Sequence, residues 1–260
     1  MGRIDLSKSL MQTCLATNCP GYQKTDRLAS LEVLEQHQAT SNSGSFVKHT
    51  YDPALLKPYH KWRDDLRAWY DARTLPSEIK GLRYRPREGW AAFYAEMGGQ
   101  LREGERIADR VTEEYDGARA DAKSSLGSLY RESDYISKAE FRSRFSASFH
   151  VQPMPDSRNF MVELAEGQLE EIKAQLDRRM EELTQGIPGQ LIDMVVGPVQ
   201  VITDKLSKDN SRGTTASVEA LVELCTKQIP MLNVTRDQRV TDLCARVVRA
   251  LSAYDLESVR

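Results

Sequence analysis

The chain has 260 residues, 40% of them hydrophobic and 28% charged, with a formal net charge of −2. That length and composition fit a globular protein with a substantial core and exclude wholesale disorder. The near-zero charge excludes a global field that would recruit nucleic acid or an anionic membrane, so any such binding has to come from a local patch. No run approaches the roughly 18 apolar residues of a membrane span, and residues 1–8 lack an apolar signal-peptide core, so the expected location is the cytoplasm.

Residues 1–24 carry scattered apolar positions (Ile4, Leu6, Leu10, Met11, Leu15) and end at the turn signal Pro20-Gly21. Leu28, Leu31 and Leu34 predict a short helix within residues 25–38, and the small polar run at 39–45 reads as a flexible linker. Residues 1–45 are therefore expected to form an N-terminal arm, and residues 46–260 a single helical domain.

Asp52-Pro53 has the form of an N-cap followed by proline at the first helical position, and Tyr59, Trp62, Leu66, Trp69 and Arg73 then step by three and four. Pro58 places the start of the continuous helix there, and Leu75-Pro76 ends it. Residues 82–86 alternate and read as a third strand or a connector. From Pro86, the series Trp90, Phe93, Met97, Leu101, Ala108, Val111 and Tyr115 predicts a long helix over 87–122. Gly98, Gly99 and Gly104 either weaken it or mark close packing against another helix. A further helical piece over 118–130 is followed by Ser137-Lys-Ala-Glu140, a capping-box pattern for a short helix.

The segment 145–206 organises the rest. Phe145, Ala147, Phe149 and Val151 alternate, a proline loop follows at 153–158, and Phe160, Val162 and Leu164 alternate again, which predicts a β-hairpin over about 145–164. The period then lengthens: Leu169, Ile172, Leu176, Met180 and Leu183, continued by Leu191, Val195, Val199, Ile202 and Leu206, form a helical stripe. Gly186-Ile-Pro-Gly189 and Gly197-Pro198 interrupt it, so one kinked arm or two stacked helices are expected. Two closing helices carry Val218, Leu221, Val222, Cys225 and Ile229, then Val240, Leu243, Cys244, Val247 and Leu251, the second opened by a Thr235-to-Gln238 capping box. The expected fold class is mainly α with a small β-hairpin (α+β). Long antiparallel helices pack with a sheet of two strands, or of three if 82–86 joins.

Enzyme signatures are sparse: there is no P-loop, Gly-x-Gly-x-x-Gly, His-Glu-x-x-His or Gly-x-Ser-x-Gly. Asp156 and Glu163 imitate the acidic pair of a metal-dependent nuclease, but the position of its lysine is Ala165. His60 and Asp64 could meet on one helical face, where a surface hydrogen bond is the simpler reading. Cys14, Cys19, Cys225 and Cys244 lack zinc-ligand spacing, and the last two read as small buried thiols. No metal, cofactor or catalytic residue is expected. One basic and aromatic mixture stands out: Lys61, Arg63, Arg67, Arg73, Lys80, Arg83, Arg85 and Arg87 among Trp62, Trp69, Tyr70, Tyr84 and Trp90. These are the ingredients of a single-stranded nucleic-acid surface or a partner surface, diluted by Asp64, Asp65, Asp71, Glu78 and Glu88. On the central helix acids outnumber bases, which by default is a solvated face.

Taken in order, Asp52-Pro-Ala-Leu-Leu-Lys-Pro-Tyr-His60, Arg73-Thr-Leu-Pro76, Arg85-Pro86, Asp134-Tyr135, Glu140-Phe-Arg-Ser-Arg-Phe145, Pro153-Met-Pro-Asp156 and Met231-Leu-Asn-Val-Thr235 resemble an uncharacterised family of phage- and prophage-encoded helical proteins, a domain of unknown function. The resemblance covers about residues 50–252; the arm and the two glycine-proline interruptions depart from it. It implies a phage or prophage gene acting in the bacterial cytoplasm and assigns no catalytic residue. The expected function is a non-enzymatic accessory protein acting by helix-mediated self-assembly or by contact with a phage or host protein. Single-stranded nucleic-acid binding in phage replication or recombination is the alternative, and a metal-dependent nuclease ranks last.

Overall fold

The structure, a computed structural model, describes residues 6–155, 166–207 and 214–252. The described chain runs α1 (Leu6–Ser9), β1 (Leu10–Asn18), β2 (Gln23–Asp26), α2 (Arg27–Gln36), β3 (Phe46–His49), a 3-10 turn (Pro53–Leu56), α3 (Lys57–Asp71), β4 (Leu75–Pro76), β5 (Arg83–Pro86), α4 (Trp90–Glu113), α5 (Tyr115–Leu126), α6 (Lys138–Ser143), β6 (Ser146–Pro153), α7 (Glu166–Ser207), α8 (Thr214–Glu223), a π-turn (Leu224–Gln228), α9 (Ile229–Leu232) and α10 (Gln238–Ser252). The fold is mainly α with small antiparallel sheets. Strands β4, β5, β1 and β6 form one sheet in that order, and β2 and β3 form a separate ribbon. The chain divides into two compact units, Met1–Cys14 with Ala68–Phe93 and His150–Arg260, and Leu15–Arg67 with Tyr94–Phe149.

In the first unit, β1 pairs with β5 in the register Leu10 to Pro86 and Thr13 to Arg83, and β5 pairs with β4. The N-terminal residues are thus not an arm, because β1 is an interior strand and Leu10 is fully buried. Its apolar pattern is broken by Gln12 and Thr13, which are also buried. Thr13 is satisfied by Tyr70 Oη at 2.7 Å and by the Arg83 carbonyl at 3.2 Å, so polar residues stand where a sequence pattern asks for apolar ones. Residues 82–86, a strand or connector by sequence, contain β5.

Helix α7 is continuous through Pro188 and Pro198. Two internal prolines cost about 3 kcal/mol each. Burying Leu183, Ile187, Leu191, Val195 and Ile202, at about 1.5–3 kcal/mol apiece, outweighs that. The same cluster receives Val218 and Leu221 of α8, Ile229 of α9, and Val240 and Cys244 of α10. A single helix therefore replaces the alternative of two stacked ones. The cap of α10 also differs from the expected Thr235 box. Asp237 accepts from Arg239 N at 2.8 Å, while the Asn233 amide holds Asp237 N and O, both at 3.0 Å.

The second unit has an aromatic core. Tyr115 stacks on Phe141 at 4.0 Å, Tyr51 meets both rings edge-on, and Phe145 contacts Phe141 and Tyr59. The capping reading of α3's approach is right: Asp52 accepts from Ala54 N at 2.7 Å. So is that of α6, where Ser137 accepts from Glu140 N at 3.1 Å. The long helix expected over 87–122 is broken at Glu114 into α4 and α5. Of its glycines, Gly104 does mark close packing, since a Cβ there would meet the Trp62 ring; Gly98 and Gly99 face only the Arg102 side chain.

Strand β6 matches the first half of the expected hairpin. It lies beside β1 in the sheet. The expected second strand, Phe160 to Leu164, lies outside the described residues, as do Asp156 and Glu163 of the nuclease-like pair.

Candidate functional site

The basic and aromatic residues singled out by sequence fall in both units and are mostly engaged locally. In the second unit Lys61 pairs with Asp65 at 2.8 Å, Arg63 with Asp64 at 3.0 Å, and Arg67 donates to the Leu15 carbonyl at 3.1 Å. In the first, Arg83 bonds Thr74 Oγ1 at 2.6 Å and pairs with Asp71 at 3.2 Å, while Arg87 donates to the Ser7 carbonyl at 3.2 Å. Lys80 is exposed. Arg85 is 2% exposed and so is no part of a surface. It belongs to a stacked series in which Arg73 lies over Trp69 at 4.8 Å, Trp69 stacks on Phe93 at 5.1 Å, and Arg85 lies over Phe93 at 4.7 Å. Burial, with Arg73 nearby, lowers the Arg85 pKa to about 10.

His60 contacts Cys19 Sγ through Nε2 at 3.5 Å rather than Asp64, which bonds Arg63. A thiol beside an imidazole invites a nucleophilic reading, but the electrostatics oppose it. Burial pushes the Cys19 thiol up despite Arg63, and burial followed by the Arg63 charge pulls His60 down. Both groups are favoured neutral, which leaves a weak nucleophile. Among the described residues no cluster of three or more His, Cys, Asp or Glu side chains could hold a metal. No described helix is long and apolar enough to cross a membrane.

The feature that sequence reasoning missed is a groove in the second unit, about 1100 Å³ in volume, between the β3 ribbon and α5. Its assembly starts at Lys48. The Lys48 side chain is 2% exposed and reaches Asp26 at 2.6 Å, Asp134 at 2.7 Å and the Leu129 carbonyl at 2.6 Å. Asp26 caps α2 through Leu28 N and Ala29 N, and Arg131 and Lys24 close the network onto Asp26 and Asp134. The hydrogen bond from Lys48, then that from Ala29 N, holds the Asp26 carboxyl below its ordinary value. Burial pulls Asp134 up, but hydrogen bonds from Lys24 and Lys48 bring it down overall. Burial pulls Lys48 down, and its two aspartates bring it up overall. The ammonium donates hydrogen bonds to Asp26 and the Leu129 carbonyl and is ion-paired with Asp134, so the ribbon is anchored by a buried, charge-compensated cation.

All four residues of β3 line the groove. Their side chains alternate, with Val47 and His49 exposed and Lys48 buried. No residue of β2 lines the groove, so it lies on the side of β3 away from β2. Thr50 N bonds the Tyr22 carbonyl at 2.8 Å, and the register pairs Lys48 with Lys24. By the two-residue alternation of an antiparallel pair, Lys48 points its backbone groups at β2, the Phe46 N–H is taken by Ser30 Oγ at 2.9 Å, and Val47 and His49 point their backbone groups away from β2. Among the described residues no strand pairs with that outer edge.

The opposite wall is the small-residue face of α5, Gly117, Ala118, Ala122 and Ser125. A Cβ at Gly117 would meet nothing within 4 Å, so the wall stands clear of its neighbours there. Asp52, Glu113, Glu114 and Asp121 also line the groove. Lys48 is committed to Asp26 and Asp134. Among the described residues, Glu113, Glu114 and Asp121 form no side-chain ion pair. The chain matches no family model, no curated protein and no solved structure. Chemically, the groove offers a strand edge, a shallow apolar wall and uncompensated negative charge.

Proposed function

We propose that this chain is a non-enzymatic interaction protein that docks a segment of another protein in the groove between β3 and α5. The supporting observation is the outward-facing edge of β3, held open by the Lys48 network beside carboxylates with no cation of their own. An open strand edge is a template for another chain, and monomeric proteins usually blunt it. The phage or prophage setting and contact with a phage or host protein rest on the sequence resemblance alone, and the cytoplasmic location on that resemblance and the hydropathy pattern. The basic residues at 61–87 support the nucleic-acid alternative less well, because several are ion-paired and Arg85 is buried.

A photo-activatable crosslinker placed at Ser125, on the groove wall, tests this in cells carrying the gene. Capture of one defined protein from Ser125 but not from Ser124, its exposed neighbour outside the groove, is the expected result. Equal capture from both positions, or capture from neither, overturns the docking reading.

A further inference from the structure

We infer that the occupant of this groove is an extended, lysine- or arginine-rich peptide segment that adds a third strand to the outer edge of β3. The inference rests on the groove being a docking site and specifies what docks there. Two independent features select this chemistry. The first is the backbone: Val47 and His49 turn their N–H and C=O groups away from β2, and every residue of β3 reaches the groove. An incoming strand satisfies those groups with main-chain hydrogen bonds, which serve any sequence. A helix or a folded domain edge with its own hydrogen bonds complete cannot.

The second is charge. Glu113, Glu114 and Asp121 line the groove without an ion pair among the described residues, and Asp52 adds a fourth carboxylate. The buried Lys48 ammonium is already neutralised by Asp26 and Asp134. A strand bearing basic side chains therefore meets complementary potential, and an acidic one meets repulsion. The small residues of α5 suit the same occupant. Gly117, Ala118 and Ala122 keep that wall free of long side chains.

The test is fluorescence polarisation of the full chain with a short labelled peptide of alternating lysine and valine, and with its glutamate-valine analogue as control. The expected result is saturable binding of the basic peptide, weakened by salt, with no binding of the acidic one. Val47→Pro removes one outward N–H without touching the ladder to β2 and should weaken binding about tenfold. Glu114→Lys combined with Asp121→Lys should weaken it at least as much. Amide hydrogen exchange on the parent protein covers the case in which Val47→Pro does not fold: the Val47 and His49 amides should slow when the peptide is bound.

Binding unaffected by Val47→Pro, with both amides still exchanging freely, overturns strand addition. Equal binding of the acidic peptide overturns the charge selection. If neither peptide binds while Ser125 still captures its protein, this inference fails and the docking reading stands. If Ser125 captures nothing as well, both fail.

Discussion

The Trp62 ring fills the space that a side chain at Gly104 would need. A Cβ built there would lie 2.2 Å from Trp62 Cζ2 and 2.3 Å from Cη2. Trp62 is 6% exposed and its indole N–H donates to the Gln100 carbonyl at 3.1 Å, so the ring has little freedom to withdraw. This contact lets α3 and α4 approach at the cost of a glycine inside a helix.

Gly104→Ala should therefore destabilise the protein by about 2–3 kcal/mol, against the gain of up to about 1 kcal/mol that alanine ordinarily brings to a helix. Combining it with Trp62→Leu should recover part of the loss, a coupling readable from a urea double-mutant cycle. Gly186→Ala in α7, where a Cβ meets nothing within 4 Å, should instead stabilise by up to about 1 kcal/mol. Equal effects at both glycines would refute the packing explanation.

The Lys48 network gives a pH dependence of definite sign. Asp26 and Asp134 are held below the ordinary 3.8, so their contribution is complete above that value and is lost as pH falls through their lower folded values. Lys48 is held above 10.5, so its contribution is complete below 10.5 and is lost as pH rises past its folded value. Thermal unfolding followed by circular dichroism should show a Tm insensitive to this network between about pH 5 and 10, falling below about pH 4. In Lys48→Met, Asp26 keeps Arg131 and Asp134 keeps Lys24, but both lose the buried ammonium. The variant should be less stable at pH 7, and its fall in Tm below about pH 4 should be shallower.

Cysteine reactivity should follow burial. Cys225 and Cys244 are 3% and 6% exposed and touch one another, and burial pushes the Cys225 thiol up to about 12. Thiol titration at pH 8 should leave both unmodified until denaturant is added. Cys14 is half-buried and should react first. Cys19 is also half-buried, with its thiol raised mainly by burial, and should follow more slowly. Rapid modification of Cys225 in the native protein would contradict the buried pair.

Arg85 provides a test of buried charge. Its guanidinium donates to the Arg73 carbonyl at 3.3 Å and contacts Met231 Sδ at 3.0 Å, and its Nε has no hydrogen-bond partner among the described residues. Arg85→Ala should cost about 2–4 kcal/mol, because it empties the space over Phe93. Arg85→Met, which keeps much of the stem and removes the charge, should lie within about 1 kcal/mol of the parent in chemical denaturation. A methionine variant as unstable as the alanine one would show that the cation itself is needed.

Much of the helical frame was legible in sequence because its signals are local. Asp52-Pro53 and Ser137 cap where their spacing says, and the stripe of Leu183, Leu191, Val195 and Ile202 is the buried face of α7. The α2 helix was legible too, although Leu28 and Leu31 of its stripe prove half exposed. The strands were read less well. β1 hides behind Gln12 and Thr13, whose burial depends on partners such as Tyr70 and Arg83, far away in the chain. β2 and β3 are four residues each and are separated by a helix.

The candidate site was not legible at all. Its walls, 46–55 and 113–126, are distant in sequence, and the signal that could have raised it was weak: a lone Lys48 in an alternating tetrad, and small residues at positions 117, 118, 122 and 125. The sequence by itself determined most of the helical segments, where several begin, and the buried face of α7, since caps and a 3.6-residue period act within a few turns. Tertiary structure alone decided that α7 survives two prolines, that Arg85 is enclosed, and that Lys48 meets two aspartates and leaves a strand edge open. Burial energy and the satisfaction of buried polar groups depend on which distant residues meet, and that is settled only when the chain has folded.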